Sequence, residues 1–569
     1  MTPGRKRSGL CARRVPVQAN AHNGLGMPTD PQNAAQAAAE AAEGAATPPA
    51  ESVAAGTAPA HAHHSLAALR LRYGPNHRWW VLLTVMIGNM AALMAATTIN
   101  VAVPAISRQF QLGQQDAQWL ATSFMGAMTV SMLATPWLLQ RFGYRRCYTV
   151  MLGLLGTGGL VGGLAPNLGL VLAMRMVEGL AGGVLQTIPG VIIMHAFAKH
   201  EQGRAMGVFG FGTVLAPALG PSVGGLLVDW FGWRAIFFFV LPFCAVAAVL
   251  ARRCLPHVAP GGLPVNPLAR PPDAWSLLML TVLLAALLNG LVTLQGGDTL
   301  AGSAQLALAA ALVAGFIVRQ RRVATPLMQM SLYGHPVFRR AALVAVIYGA
   351  GLFGSTYLLP VFMLVALGMP ASTVGAVLLP AGLALAFTIP LAGRLADRAP
   401  LYRTLTIGLL VMTASFAVMT AVGSATAVAW LTLIAVLGRI GLGCVIPSLS
   451  LSAMRVLDLP QIAAGASTMN FLRQLGGAVG VNLVGILLGA RLQTHAAQGP
   501  AGTLRAFHEV FVLMALLTGA AALAAWQMRP PAQPPDAAPD GPGNAPAGPA
   551  PGAAGHIGAP PPPALASPA

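Results

Sequence analysis

Residues 79–103 read WWVLLTVMIGNMAALMAATTINVAV, without one charged side chain. A helix rises 1.5 Å per residue, so crossing a hydrocarbon core of about 30 Å takes about 20 apolar residues, and this stretch exceeds that length. Backbone groups in lipid must be satisfied inside the protein, which leaves helices and closed barrels. Barrel strands would show as alternating segments of about ten residues, and no such alternation is present. The stretch is a membrane-spanning helix, and thirteen more blocks meet or approach its length. They run Ala117–Leu139, Cys147–Ala165, Leu168–His195, Gly203–Val228, Ala235–Leu250, Trp275–Leu294, Leu300–Val318, Ala341–Leu367, Val374–Leu391, Tyr402–Val422, Val428–Leu449, Ile462–Leu488 and Val510–Trp526.

Composition agrees. Of 569 residues 56% are hydrophobic and 8% charged, with mean hydropathy +0.68, so there is too little charge to coat a soluble globule. The net charge of +18 would suit nucleic acid, but the basic residues sit in short runs between apolar blocks, which excludes a nucleic-acid groove. Counted in alternate loops they fall on one side: Arg70, Arg72 and Arg78, Arg141, Arg145 and Arg146, Lys199 and Arg204, and so on to Arg529. The other side has only Arg108, Arg234, Arg491 and Arg505. The positive-inside rule then predicts a multi-pass protein of the cell inner (plasma) membrane with both termini cytoplasmic.

The five cysteines, Cys11, Cys147, Cys244, Cys254 and Cys444, are scattered and read as apolar fillers. His61, His63 and His64 lie in a Pro/Ala-rich tail without a partner acid, so no metal site is expected. The predicted organisation is a disordered cytoplasmic tail (1–72), a six-helix bundle (73–254), a linker with two extra spans (255–335), a second six-helix bundle (336–529) and a disordered Pro/Ala-rich tail (530–569). The extra pair, joined by a tight GGD turn, is too apolar for a soluble loop, so fourteen spans are expected rather than twelve.

The densest motif is GTVLAPALGPSVGGLLVDWFGWRAIFFF, residues 212–239. Its small residues permit close helix approach and its prolines bend the axis. The run Pro217, Gly220, Pro221, Gly224, Gly225, followed by Asp229 and Gly232-Trp233-Arg234, resembles the antiporter motif of the major facilitator superfamily, in particular its 14-span drug:proton antiporter family. Four further stretches agree in order: TTINVAVP with Asn100 and Pro104, QWLATSFMGAMTV, RMVEGLAGG with Arg175 and Gly179, and STMNFLRQLGGAVGV with Asn470 and Arg473. The loop LLQRFGYRR resembles the family's cytoplasmic gating loop in Arg141, Gly143, Arg145 and Arg146, but Gln140 stands where the family has an acid. Its counterpart GRLADRAPLYR keeps Gly393, Asp397 and Arg398. The resemblance implies an all-α major facilitator fold of two pseudo-symmetric six-helix bundles plus two central helices. It also implies cavity walls from spans 1, 2, 4 and 5 and their counterparts.

Intramembrane charges default to functional hypotheses. Arg175 and Glu178 share a helix face at i, i+3. Arg439 and Arg473 have no obvious local acid, and each faces a watery cavity, pairs across the interface, or snorkels. Many relatives carry a span-one Asp where alignment on Asn100 places Ala95, which makes Glu178 the candidate proton carrier; the alternative is a static pair in a uniporter or a protein coupled to another ion. With no nucleotide-binding, metalloprotease or nucleophile-elbow motif, the chain reads as a secondary transporter and not an enzyme, with no cofactor. The expected partners are a small organic substrate, protons and the lipid bilayer. A monomer is expected, and a periplasmic adaptor with an outer-membrane channel is left open. Apolar walls point to hydrophobic or lipophilic-cation substrates leaving as protons enter. The rival readings are a single-metabolite exporter or importer, and a membrane sensor or scaffold.

Overall fold

The structure is a computed structural model that describes residues 73–256 and 265–529. Fourteen α-helices make up nearly all of it: α1 His77–Phe110, α2 Gln114–Phe142, α3 Tyr144–Gly163, α4 Leu168–Ala196, α5 Gln202–Phe231, α6 Ala235–Cys254, α7 Ala274–Gln295, α8 Thr299–Arg322, α9 Pro336–Val361, α10 Ala371–Arg398, α11 Leu401–Met419, α12 Val428–Met454, α13 Ile462–Thr494 and α14 Gly499–Trp526. No strand occurs among the described residues. The two predicted tails, together with Arg70, Arg72, Cys11 and the His61/His63/His64 cluster, lie outside them. Of the four described cysteines, Cys147, Cys244 and Cys254 are buried.

Twelve of the helices are apolar and long enough to cross a membrane on length and composition. The other two, α2 and α3, are long but diluted, by Ser and Thr in ATSFMGAMTVSMLAT (121–135) and by Gly in GLLGTGGLVGG (153–163). Three hydroxyls of α2 are satisfied within the helix, as lipid favours: Thr129 donates to the Met125 carbonyl, Ser131 to Met128 and Thr135 to Ser131. Helix α1 continues to Phe110, through the proline at which the apolar block stops. Pro104 removes one backbone donor without ending the helix, and the chain turns only at Gln111, in the left-handed region at φ 52°.

Packing partners repeat with an offset of eight helices. The pairs α1–α5, α2–α4, α3–α4, α1–α6 and α3–α6 recur as α9–α13, α10–α12, α11–α12, α9–α14 and α11–α14. Two six-helix halves of one design result. They meet along α5–α10 and α2–α13, which the same offset exchanges.

The intervening α7–α8 hairpin leans on α2 and α13 through α7. Its GGD turn holds Gly297 at φ 96°, and Asp298 caps α8 by accepting from the Ala301 amide at 3.0 Å. At the other end Asp273 caps α7 through the Ser276 amide (2.8 Å) and accepts two bonds from Arg319 on α8 (2.6 and 2.9 Å). The Arg319 hydrogen bonds and then that of Ser276 hold the Asp273 carboxyl well below the usual carboxylate range. This contribution to hairpin stability is present at neutral pH and is lost only as pH falls through that depressed value.

Candidate functional site

The two halves close on each other at the Arg-rich end. Glycines at 203, 207 and 210 bring α5 against α10. A Cβ on Gly203 would overlap the Gly393 carbonyl, one on Gly207 would stand 2.9 Å from Pro390 Cα, and one on Gly210 would stand 2.5 Å from Ile389 Cγ2. Asp397, at the end of α10, accepts from the amides of Gly203 and Arg204, both at 2.7 Å. These are first-turn amides of α5, left orphaned by helix geometry, and a carboxylate there also meets the positive end of the helix dipole. Arg455, just past α12, reaches Asp397 at 3.7 Å, Gln202 Oε1 at 3.2 Å and the Lys199 carbonyl at 2.6 Å. Burial lowers the Arg455 guanidinium from its ordinary value, and Asp397 works against that. Ser467 on α13 donates to the Met132 carbonyl of α2 at 2.6 Å.

Two details depart from the sequence reading. Arg398 is exposed, and the arginine that joins Asp397 is Arg455. The α5 glycines that make this contact lie in a G-x-x-x-G-x-x-G spacing in the first half of the helix, upstream of the antiporter-like motif.

The counterpart loop between α2 and α3 does something else. Gln140 is exposed and caps nothing; its carbonyl accepts from the Asn266 amide at 2.9 Å. Arg141 donates to the carbonyls of Pro267 (2.7 Å) and Ala269 (3.0 Å), so the segment leading into α7 straps this loop. Gly143 turns the chain at φ 76°, Arg145 donates to the Arg252 carbonyl at 3.0 Å, and Arg146 is exposed. Where Asp397 caps α5, no side chain caps α13.

The glycines of the antiporter-like motif pack α5 on α1. A Cβ on Gly220 would overlap Thr97 Oγ1, and Gly224 faces Thr98 at 3.3 Å. Gly225 is looser, 3.9 Å from Val101; Pro217 is half-buried, and Pro221 lies on the same helix. Asn100 is exposed near the far end of α1.

Arg175 and Glu178 on α4 are 2% and 1% exposed and pair at 2.8 Å. Arg175 also donates to the Leu120 carbonyl of α2 (3.1 Å) and to that of Ala95 on α1 (3.0 Å), and stacks on Phe124 at 4.3 Å. Glu178 lies against Gly158 and Gly159 of α3. The pair is therefore inside the first half, and Arg175 reaches the backbone of the residue that replaces the family's span-one Asp.

Among the described residues Arg439 on α12 bonds only Thr356 Oγ1 of α9, at 3.3 Å, and Arg473 on α13 bonds only Asn470 Oδ1, at 2.9 Å. Neither is in an ion pair among the described residues. A charge at mid-membrane costs about 3 kcal/mol on insertion scales, so uncompensated arginines here ask for a reason.

The family model of the Major Facilitator Superfamily matches residues 85–481. The chain is 30% identical over 419 residues to the Multidrug resistance protein B homolog of Mycobacterium tuberculosis (strain ATCC 25618 / H37Rv), covering 72% of this chain and 76% of that protein. It is 29% identical over 423 residues to the Puromycin resistance protein pur8 of Streptomyces alboniger, covering 72% and 82%. The crystal structure of the human organic anion transporter MFSD10 (TETRAN) superposes with TM-score 0.56 at 17% identity, over 78% of this chain and 99% of that one, a likeness of fold alone. Two six-helix halves of one design, a single seam between them and a family match across both halves lead to one conclusion: this chain belongs to the Major Facilitator Superfamily and is a multi-pass membrane transporter rather than an enzyme.

Proposed function

We propose that the protein is a secondary active exporter of small, hydrophobic organic compounds, working by alternating access in the inner membrane with both termini cytoplasmic. The observation that carries this reading is the one-ended closure. Among the described residues, every hydrogen bond and ion pair between the halves lies at the Arg-rich end. The positive-inside rule puts that end in the cytoplasm, so the conformation is shut inward and awaits release outward. Polar bonds at helix ends accompany close apolar packing of α5 on α10 and of α4 on α13, and both are confined to this end of the seam. The relatives named for multidrug and puromycin resistance support export of drugs. Cells expressing the protein should expel a hydrophobic dye when energised and retain it once an uncoupler collapses the proton gradient. Dye efflux indifferent to the uncoupler would overturn the gradient-driven reading.

Exchange for protons rests on Glu178. Glu178 is the one carboxyl buried inside a span among the described residues, and its partner Arg175 also donates to two backbone carbonyls and lies over the Phe124 ring, contacts that do not depend on the Glu178 carboxylate itself. The Glu178→Gln variant should lose pH-gradient-driven accumulation in everted vesicles while still exchanging labelled for unlabelled substrate. Retained uphill accumulation would remove Glu178 from that role.

A further inference from the structure

We infer that the seam between the halves contains an anion site, built by Arg439 and Arg473, and that the transported compound carries a carboxylate-like or sulfonate-like head on an apolar body. This rests on the exporter reading above and names its substrate class.

The placement follows from helix registers. On α12, Ile446 meets the other half: a Cβ on Gly210 of α5 would stand 4.0 Å from its Cγ2. Arg439 is seven residues earlier, two turns along the same face. On α13, Ala466 meets the other half, 3.8 Å from a Cβ on Gly190 of α4. Asn470 is one turn and Arg473 two turns further on that face. Both arginines therefore project into the seam about 10 Å beyond the closed contacts, at the rise of 1.5 Å per residue, where the halves make no bond with each other. The two helices that carry them both pack on α9.

Their hydrogen-bonding capacity is largely unspent. Arg439 Nε, Arg473 Nε and Arg473 Nη1 have no partner, and none of these nitrogens is sealed from solvent. No acid is placed to serve them. Among the described residues the second half has only Asp397 and Asp458 at the Arg-rich end, and Glu509 at the opposite end, shared by Arg491, His495 and Arg505. Glu178 is spent on Arg175 inside the first half. Two forked guanidiniums with free donors match the planar oxygens of a carboxylate or sulfonate, and the same charges repel a lipophilic cation. Between these arginines and the closed contacts, α5 and α13 present the apolar Val214 and Leu472; Leu472 packs against the cores of both halves.

The test is binding to the full-length protein in nanodiscs, without a gradient, using three probes on one ring system: 2-naphthoate, neutral 2-methoxynaphthalene and the cation trimethyl(2-naphthylmethyl)ammonium. Naphthoate should bind about tenfold or more tighter than the other two, the scale of a hydrogen-bonded charge. Arg439→Gln and Arg473→Gln should each weaken naphthoate by a similar factor and leave the neutral probe unchanged, while Arg→Lys at either position retains most of the binding. Equal or tighter binding of the cation or the neutral probe to the wild-type protein would overturn the proposal, whether or not the variants fold. Unchanged naphthoate affinity in folded Gln variants would do the same. A protein that binds naphthoate but moves nothing would sink the exporter reading and leave this site standing. Energised export of cations without naphthoate binding would do the reverse.

Discussion

Gly220→Leu should abolish transport, to below about 5% of wild type, while the protein still inserts at normal abundance, since it adds apolar volume to a helix whose lipid insertion is unaffected. The position has no slack. Even a Cβ would overlap Thr97 Oγ1, and that hydroxyl is held one turn back by the Leu93 carbonyl at 3.0 Å. A leucine must push α1 and α5 apart, and α5 is the helix whose other end forms the closed contact with α10. Gly225→Leu, at a site where a Cβ would meet Val101 Cγ1 at an ordinary contact distance of 3.9 Å, should be milder. Normal efflux by Gly220→Leu at normal membrane abundance would show that the close α1–α5 approach is not required.

Asp397→Asn should slow transport by about tenfold, the scale of one charge-assisted hydrogen bond lost from a two-state equilibrium, and Gln140→Ala should leave it within about twofold. The two residues occupy corresponding loops, but only Asp397 ties the halves together, through two amides of α5 and through Arg455. The asymmetry has a physical origin. An amide at 140 brings no charge to a helix terminus, and the strap from residues 265–269 has taken over that loop's hydrogen bonds. Comparable transport rates for the two variants would remove the asymmetry from the account.

Much of the architecture was legible because lipid simplifies the code. Each apolar block from Trp79 to Trp526 became one long helix, and the arginine-rich loops lie at one end. The apolar block 79–103 understates α1, which runs on through Pro104 to Phe110 because a membrane helix tolerates one missing donor. The closure was less legible. Gly203 and Gly393, or Asp397 and Arg455, are far apart in sequence and gain meaning only when the halves are docked. For Arg439 and Arg473 the sequence left three fates open, and the registers of Ile446 and Ala466, fixed by contacts with the other half, favour the cavity. The anion site proposed for these arginines would disfavour the lipophilic cations that apolar walls alone suggested. The Arg175–Glu178 spacing did announce the ion pair, but not that Arg175 would bond the backbone of Ala95.

The most direct measurement of the central claim uses purified wild-type protein in liposomes with an imposed pH gradient and a labelled hydrophobic substrate. Substrate should accumulate against its own gradient while protons run down theirs, and stop when an ionophore abolishes the pH difference. Equilibration that proceeds at the same rate and to the same level with and without the gradient would contradict proton-driven export.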